Sequence, residues 1–409
     1  MNVASVADFS METALQAEPP TYAGGLGVLA GDTLRSAADL GLSFAAVTLA
    51  HRKGYFQQTL DSQGNQNEAD APWAPEKALE LAEATVSVVI EGREVKIRAW
   101  RFTVVGIGGH RVPVYLLDTD LAENSAWDRT LTDYLYGGDE RYRLCQEAVL
   151  GIGGVRMLEA LGYDGVPTFH MNEGHSALLA LALLEQRMGG GPPRIPSEAD
   201  VEAVRERCVF TTHTPVPAGT DRFAPSLVRQ VLGDARAADL ENSGCCQGGV
   251  LNMTYLALRF SRYINGVAMR HGEISQGMYP RYPIRAITNG VHAVTWTAPA
   301  FRMLYDRHVP EWRRDNQYLR YAVGIPPEEI ADAHRQAKAA LLEQVRTATG
   351  VRLDPNVMTL GFARRATGYK RADLIFSNLD RLRSLARRAG PLQMIFAGKA
   401  HPRDEGGRK

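Results

Sequence analysis

TYAGGLGVLAGDTLRSAADLGLSFAAVTLA (residues 21–50) runs from a glycine-rich loop through a helix-like segment into an unbroken apolar run. Gly24, Gly25, Gly27 and Gly31 lead into DTLRSAADL, where apolar positions recur at three- and four-residue steps and predict a helix over 31–40. LSFAAVTLA (42–50) then reads as a buried strand. The alternation continues in ATVSVVIEG (84–92), HRVPVYLLD (110–118), RCVFTTH (207–213) and PIRAITNG (283–290), with helices expected at 139–161, 174–188 and 329–348. Strands alternating with helices make the chain α/β. Near its end, MTLGFA (358–363), a helix from about 371 to 388 and QMIFAG (393–398) read as one βαβ unit. The irregular stretch around 297–325 separates a lobe at 1–310 from one at 311–409. A lone parallel strand pair leaves both sheet edges and much apolar surface uncovered, so the second lobe is expected to be incomplete.

With 409 residues, 45% of them hydrophobic and 22% charged, the chain can bury more than one sizeable core. Lys plus Arg and Asp plus Glu both number 46, so no global field favours nucleic acid or an anionic membrane, and an anion site must be local. The first twenty residues lack a basic region followed by an apolar core, and no run approaches the roughly 20 apolar residues of a membrane span. A cytoplasmic protein is expected. Cys145, Cys208, Cys245 and Cys246 form no CxxC and have no histidine at ligand spacing, so free thiols are expected and no metal site.

The glycine loop can bring backbone N–H groups and a helix N-terminus against a phosphate, or can serve packing alone. FARRATGYKRAD (362–373) sets Arg364, Arg365, Lys370 and Arg371 between an apolar strand and an expected helix start, where open α/β sheets bind ligands. Cations at a helix N-terminus oppose its dipole unless an anion lies between them, which favours phosphate over a merely solvated helix start. FHMNEGHSALL (169–179) carries His170, Asn172, Glu173 and His175, and FTTHTPVPAGTDRF (210–223) carries His213 at a strand end; polar groups there face a cleft more readily than a core. The histidines of HMNEGH are five apart, not the one-turn spacing of a helical zinc pair. ITNGVHAVTW (287–296) offers Asn289 and His292 and by local chemistry reads as a turn with a packed Trp296. In YGGDERYRLCQEAVLG (136–151), Asp139, Glu140 and Glu147 are expected to balance Arg141 and Arg143.

Together with HRKGYFQQ, YINGVAMRHGEIS and IFAGKAHPRDEGG, these segments stand in one collinear order that resembles the α-glucan (glycogen/maltodextrin) phosphorylase family, above all its short bacterial and archaeal branch. The resemblance runs from about Ser10 to Lys409 and implies two Rossmann-like lobes of glycosyltransferase-B type, the second incomplete. It implies reversible phosphorolysis of an α-1,4-glucan by inorganic phosphate, releasing α-D-glucose 1-phosphate, with pyridoxal phosphate acting through its own phosphate. By the same resemblance Gly24, Gly25 and Leu26 present N–H groups to the phosphates, with Tyr369 near the cofactor phosphate. Arg365 and Lys370 bind substrate phosphate, His213 meets the glucosyl unit, and Asn289 and Asn124 contact sugar. The resemblance also admits a homo-oligomer.

The family's cofactor lysine lies downstream of the GKAHPRDEGG motif, and none of Lys53, Lys77, Lys96, Lys338, Lys370, Lys399 or Lys409 stands in such a context. A C-terminally truncated member with little or no activity alone is therefore expected. Two other readings stand beside it: a non-catalytic glucan-binding module, and a nucleotide-sugar glucosyltransferase, a class that shares the two-lobed fold.

Overall fold

The structure, a computed structural model, describes residues 2–16, 20–189, 195–214, 220–401 and 404–408. Two compact units divide it, one of Met1–Tyr55 with Asp70–Val291 and one of Phe56–Ala69 with His292–Lys409. Where the sequence reading places the lobe change at 310, the chain passes between units at Val291/His292 and lends a short inserted segment to the second.

The first unit is built on nine strands. They are β1 (Val6–Ser10), β2 (Phe44–Leu49), β5 (Glu80–Ile90), β6 (Arg93–Val105), β7 (Arg111–Asp118), β8 (Thr168–Asn172), β9 (Cys208–Thr212), β13 (Tyr263–Gly266) and β14 (Ile284–Ala286). Their order is β14-β13-β9-β8-β1-β2-β7-β6-β5, parallel from β14 to β7 and antiparallel over β7-β6-β5. β2 (FAAVTL) is buried throughout, as an apolar strand covered on both faces must be. A small antiparallel sheet of β10 (Arg222–Phe223), β11 (Cys246–Gln247) and β12 (Val250–Asn252) flanks it.

The expected helix at 31–40 is the C-terminal part of α1 (Gly25–Asp39), which starts at the glycine loop itself. Gly31 lets α1 approach the preceding chain, since a Cβ there would lie 2.1 Å from the Ala14 carbonyl oxygen. The expected helix 139–161 is helical but not uniform: Glu140–Ala148 and Gly154–Ala160 are joined by a π-turn at Val149–Gly153. Asp139 caps it by accepting from Tyr142 N at 2.9 Å. Glycine permits close packing here, because a Cβ on Gly154 would sit 2.6 Å from the Phe9 ring. The charge pairing expected along this helix is met in part, by Glu147 at 3.6 Å from Arg143. Arg141 is bound by Glu91 from the turn between β5 and β6, and Arg143 by Asp221 from a loop together with Glu147 of its own helix.

The second unit pairs β15 (Met358–Ala363) with β16 (Leu392–Ala397) in parallel, joined through the helix Leu379–Ala389. Phe396, Leu385 and Met358 are exposed, as a two-stranded parallel pair requires. A separate apolar cluster of Ala300, Leu304, Val309, Trp312, Ile325 and Ala333 packs the helices before it, including the long helix Pro327–Thr349. Trp296 is exposed rather than packed, since the short helix Ala293–Trp296 buries no residue of its own. The hairpin of β3 (Gln57–Leu60) and β4 (Gln66–Ala69) belongs to this unit. Cys145, Cys208, Cys245 and Cys246 are free thiols, the first three buried. Among the described residues no helix is long and apolar enough to cross a membrane.

Candidate functional site

The polar residues of the first unit gather where the parallel strands end. Asn172 closes β8, and His213 follows the last residue of β9. His213 Nε2 lies 2.5 Å from Asn172 Oδ1, whose amide nitrogen donates to Ser10 Oγ at 3.2 Å. That orientation gives the Nε2 proton to His213 and leaves Nδ1 as its acceptor. Burial, helped by the neighbouring His170, His271 and His175, lowers the His213 pKa to about 3, so the ring is neutral at physiological pH.

Glu173 anchors this segment from below. Its backbone has φ +76°, an uncommon conformation for a residue with a side chain, and its carboxylate is buried. Oε2 accepts from His213 N at 2.8 Å and Thr214 Oγ1 at 3.3 Å, while Oε1 accepts from Gly174 N at 3.1 Å. Burial nevertheless pushes its pKa up to about 7. Glu173 thus faces no open cleft and is a buried support of the histidine, whereas Asn172 both holds the histidine and borders a cavity. His170 is likewise a bonded link, with Nδ1 2.5 Å from Asp8 and Nε2 2.8 Å from Thr211 Oγ1. Residues 215–219 of the FTTHTPVPAGTDRF segment lie outside the described residues.

Asn289 follows β14, its N–H bonded to the Val267 carbonyl at 2.9 Å. It lines a cavity of about 430 Å3 together with Asn172, His170, Thr211 and Asn265. Asn124 stands elsewhere and is buried. Its amide nitrogen donates to the Lys96 and Thr119 carbonyls at 2.8 and 2.7 Å, and its oxygen accepts from Lys96 N at 2.8 Å. Both amide protons are used, which makes Asn124 a loop brace with no amide proton left for a sugar.

At the glycine loop a buried carboxylate already occupies part of the expected anion position. Glu12 Oε2 accepts from Ala23 N at 2.5 Å and Gly24 N at 3.1 Å, and Glu12 Oε1 accepts from the Tyr136 hydroxyl at 3.1 Å. Gly24 is the N-cap, so Gly25 and Leu26 are the first helical residues, whose N–H groups have no acceptor within the helix. These two retain the geometry for an anion, whereas the Gly24 N–H is spoken for. METALQ offered no sequence signal for Glu12, because its donors are two backbone amides of the glycine loop and the distant Tyr136.

In the second unit Arg364, Arg365, Lys370 and Arg371 follow β15, but not at a helix start. Gly368–Lys370 is a single 3₁₀ turn, Arg371 has φ +50°, and regular helix resumes only at Leu379. The dipole argument therefore does not apply to these cations; their clustering on one strand-end loop does. Arg364, Lys370 and Arg371 line a cavity of about 510 Å3 whose other wall is apolar, including Phe362, Ile375 and Phe396. Arg365 is exposed on the loop and is not among the described residues lining that cavity. The Tyr369 side chain lies outside the described residues.

Pyridoxal phosphate needs an amine for covalent attachment, and three of the lysines here already have partners. Lys53 is held by Asp133 at 3.1 Å with its pKa raised, and Lys338 and Lys399 donate to the Val357 and Phe56 carbonyls. Among the described residues no group of three or more His, Cys, Asp or Glu is placed to hold a metal.

A comparison with family models finds no match. The chain is 37% identical to the maltodextrin phosphorylase of Thermococcus litoralis, over 98% of its own length and 51% of the relative's. It is 36% identical to the glycogen phosphorylase of Mycobacterium tuberculosis, over 98% of this chain and 52% of that one. An uncharacterized protein of Methanocaldococcus jannaschii is 31% identical and is covered over 70% of its length. The chain belongs to the glycogen/maltodextrin phosphorylase family. The nine-stranded mixed sheet and the parallel pair that follows it are accordingly those of a phosphorylase fold of glycosyltransferase-B type. The chain spans about half the length of the first curated phosphorylases it matches.

Proposed function

We propose that this chain carries glucan and phosphate contacts for the phosphorolysis of an α-1,4-glucan (glycogen, starch or maltodextrin), a reaction of the cytoplasm that yields α-D-glucose 1-phosphate. The observation that carries the reading is the neutral, doubly anchored His213 at the strand ends of the first unit. A ring held by Asn172 and by the backbone grip of Glu173 suits a neutral sugar hydroxyl, which needs a fixed hydrogen-bond partner and no charge. Asn289 supplies a second sugar contact. Arg365 and Lys370 supply charge for inorganic phosphate in the second unit. Gly25 and Leu26 add backbone donors at the start of α1, the role for which Glu12 has already taken the Gly24 N–H.

Pyridoxal phosphate remains implied by the family, while Lys53, Lys338 and Lys399 are engaged within the fold. A second reading is a glucan-binding member that performs no phosphorolysis alone. The test is maltoheptaose and inorganic phosphate binding by calorimetry, followed by ³¹P NMR of maltodextrin, phosphate and pyridoxal phosphate with the chain. Binding of both ligands with little glucose 1-phosphate release is expected. Maltoheptaose binding without any phosphate binding would assign the glucan-binding role. Turnover of ADP- or UDP-glucose would move the chain to the nucleotide-sugar transferases.

A further inference from the structure

The hairpin β3–β4 is a polar, solvent-exposed ribbon with one anomaly: Gln66 at its second strand is buried while the rest of β4 is exposed. All four hydrogen-bonding positions of the Gln66 amide are filled. Oε1 accepts from Gln58 Nε2 at 2.8 Å and from Ala400 N at 3.0 Å. Nε2 donates to Glu68 Oε1 at 2.6 Å and to the Ala400 carbonyl at 3.0 Å. The side chain therefore pairs with the Ala400 backbone as a neighbouring strand would, and Gln58 and Glu68 fix its orientation. Lys399 adds a second hold, with Nζ donating to the Phe56 carbonyl at 2.6 Å and lying 4.9 Å from the Phe56 ring centre.

What the hairpin grips is the far side of the cation-bearing loop. Ala366 N donates to the Lys399 carbonyl at 3.0 Å, Arg364 N donates to the Ala397 carbonyl at 3.0 Å, and Ala366 forms a parallel bridge with Ala400. The fit is tight, for a Cβ on Gly398 would come 2.0 Å from the Arg364 carbonyl oxygen. Hairpin, residues 397–400 and residues 364–366 are thus linked in succession, the first link through the Gln66 and Lys399 side chains and the second through backbone pairing. Arg365 is bracketed by the two residues so held.

We propose that Gln66 is a positioning residue for the anion-binding loop, clamping Ala400 so that Ala366 and with it Arg365 keep one backbone geometry. The proposal rests on the reading of Arg365 and Lys370 as phosphate contacts. An exposed loop rich in arginine would otherwise bind an anion only after being ordered, and a clamp removes that cost before the anion arrives.

The experiment compares wild type with Gln66→Ala, Lys399→Met and an exposed control, Thr59→Ala, in the full chain. Three quantities are read: amide exchange at Ala400 and Ala366, affinity for inorganic phosphate, and affinity for maltoheptaose. Gln66→Ala is expected to accelerate exchange at both amides and to weaken phosphate about tenfold, with maltoheptaose affinity unchanged. Lys399→Met should move phosphate in the same direction by a smaller factor, and Thr59→Ala should move nothing. Unchanged exchange at Ala366, or accelerated exchange with unchanged phosphate affinity, overturns the proposal. So does equal loss of both ligands, which marks general destabilisation. If wild type takes up no phosphate, the phosphate reading of Arg365 and Lys370 fails, while exchange at Ala366 still decides whether Gln66 holds the loop.

Discussion

Replacing Glu173 by glutamine should remove one identifiable component from the pH dependence of stability. The carboxyl is fully buried, and its pKa rises from an ordinary 4.5 to about 7. Between those values the folded protein keeps a proton that the unfolded chain has released. Stability from this group is therefore full below pH 4.5 and falls as pH rises, the loss being complete above pH 7. The gap is 7 minus 4.5, and at 1.36 kcal/mol per pH unit it corresponds to a fall of ~3 kcal/mol. The amide introduced by Glu173→Gln would keep the shape of the protonated acid and titrate nothing. Urea unfolding of both proteins at pH 5, 6, 7 and 8 gives the difference in stability, which cancels the contributions of other carboxylates. That difference should shift in favour of the variant by ~2.5 kcal/mol between pH 5 and 8, the remainder of the fall lying below pH 5. A difference independent of pH would refute the reasoning, because it would mean that the donors from His213, Gly174 and Thr214 already compensate for burial.

Three further outcomes follow from the packing around the site. Gly154→Ala drives a methyl group against Phe9 and Val47 and should cost about 1–3 kcal/mol, read as a lowered melting temperature. Glu12→Gln weakens the grip on Ala23 and Gly24 and should raise the exchange rates of those two amides, at a stability cost of about 1–3 kcal/mol. Asn124→Ala breaks three bonds to backbone and should cost about 2 kcal/mol in a denaturant titration while leaving maltoheptaose affinity unchanged; a large affinity loss would restore Asn124 as a sugar contact.

The strands that sequence made legible are those with long apolar runs, such as β2 and β7, and the βαβ order of β15 and β16. β1 (VADFS) carries no such run, yet it sits at the middle of the large sheet, between β2 and β8. Its Asp8 is tolerated there because it bonds to His170 from the neighbouring strand, a pairing 162 residues apart that no local pattern reveals. The same distance rule hid the site's supports. His213 and Asn289 stand in motifs visible at strand ends, Asn289 reading locally as a turn, but the roles of Glu12 and Glu173 depend on backbone donors brought to them by the fold. The supposed helix start at Arg371 was misleading for a local reason: Gly368 and a left-handed Arg371 make a turn where the charge pattern alone suggests a first helical turn.

The measurement that bears most directly on the account is a crossed calorimetric titration of wild type, His213→Ala and Arg365→Ala with maltoheptaose and with inorganic phosphate. His213→Ala is expected to lose maltoheptaose binding and keep phosphate binding, and Arg365→Ala to do the reverse. If neither substitution changes either affinity, the sugar and phosphate contacts lie elsewhere and the assignment of this site is contradicted.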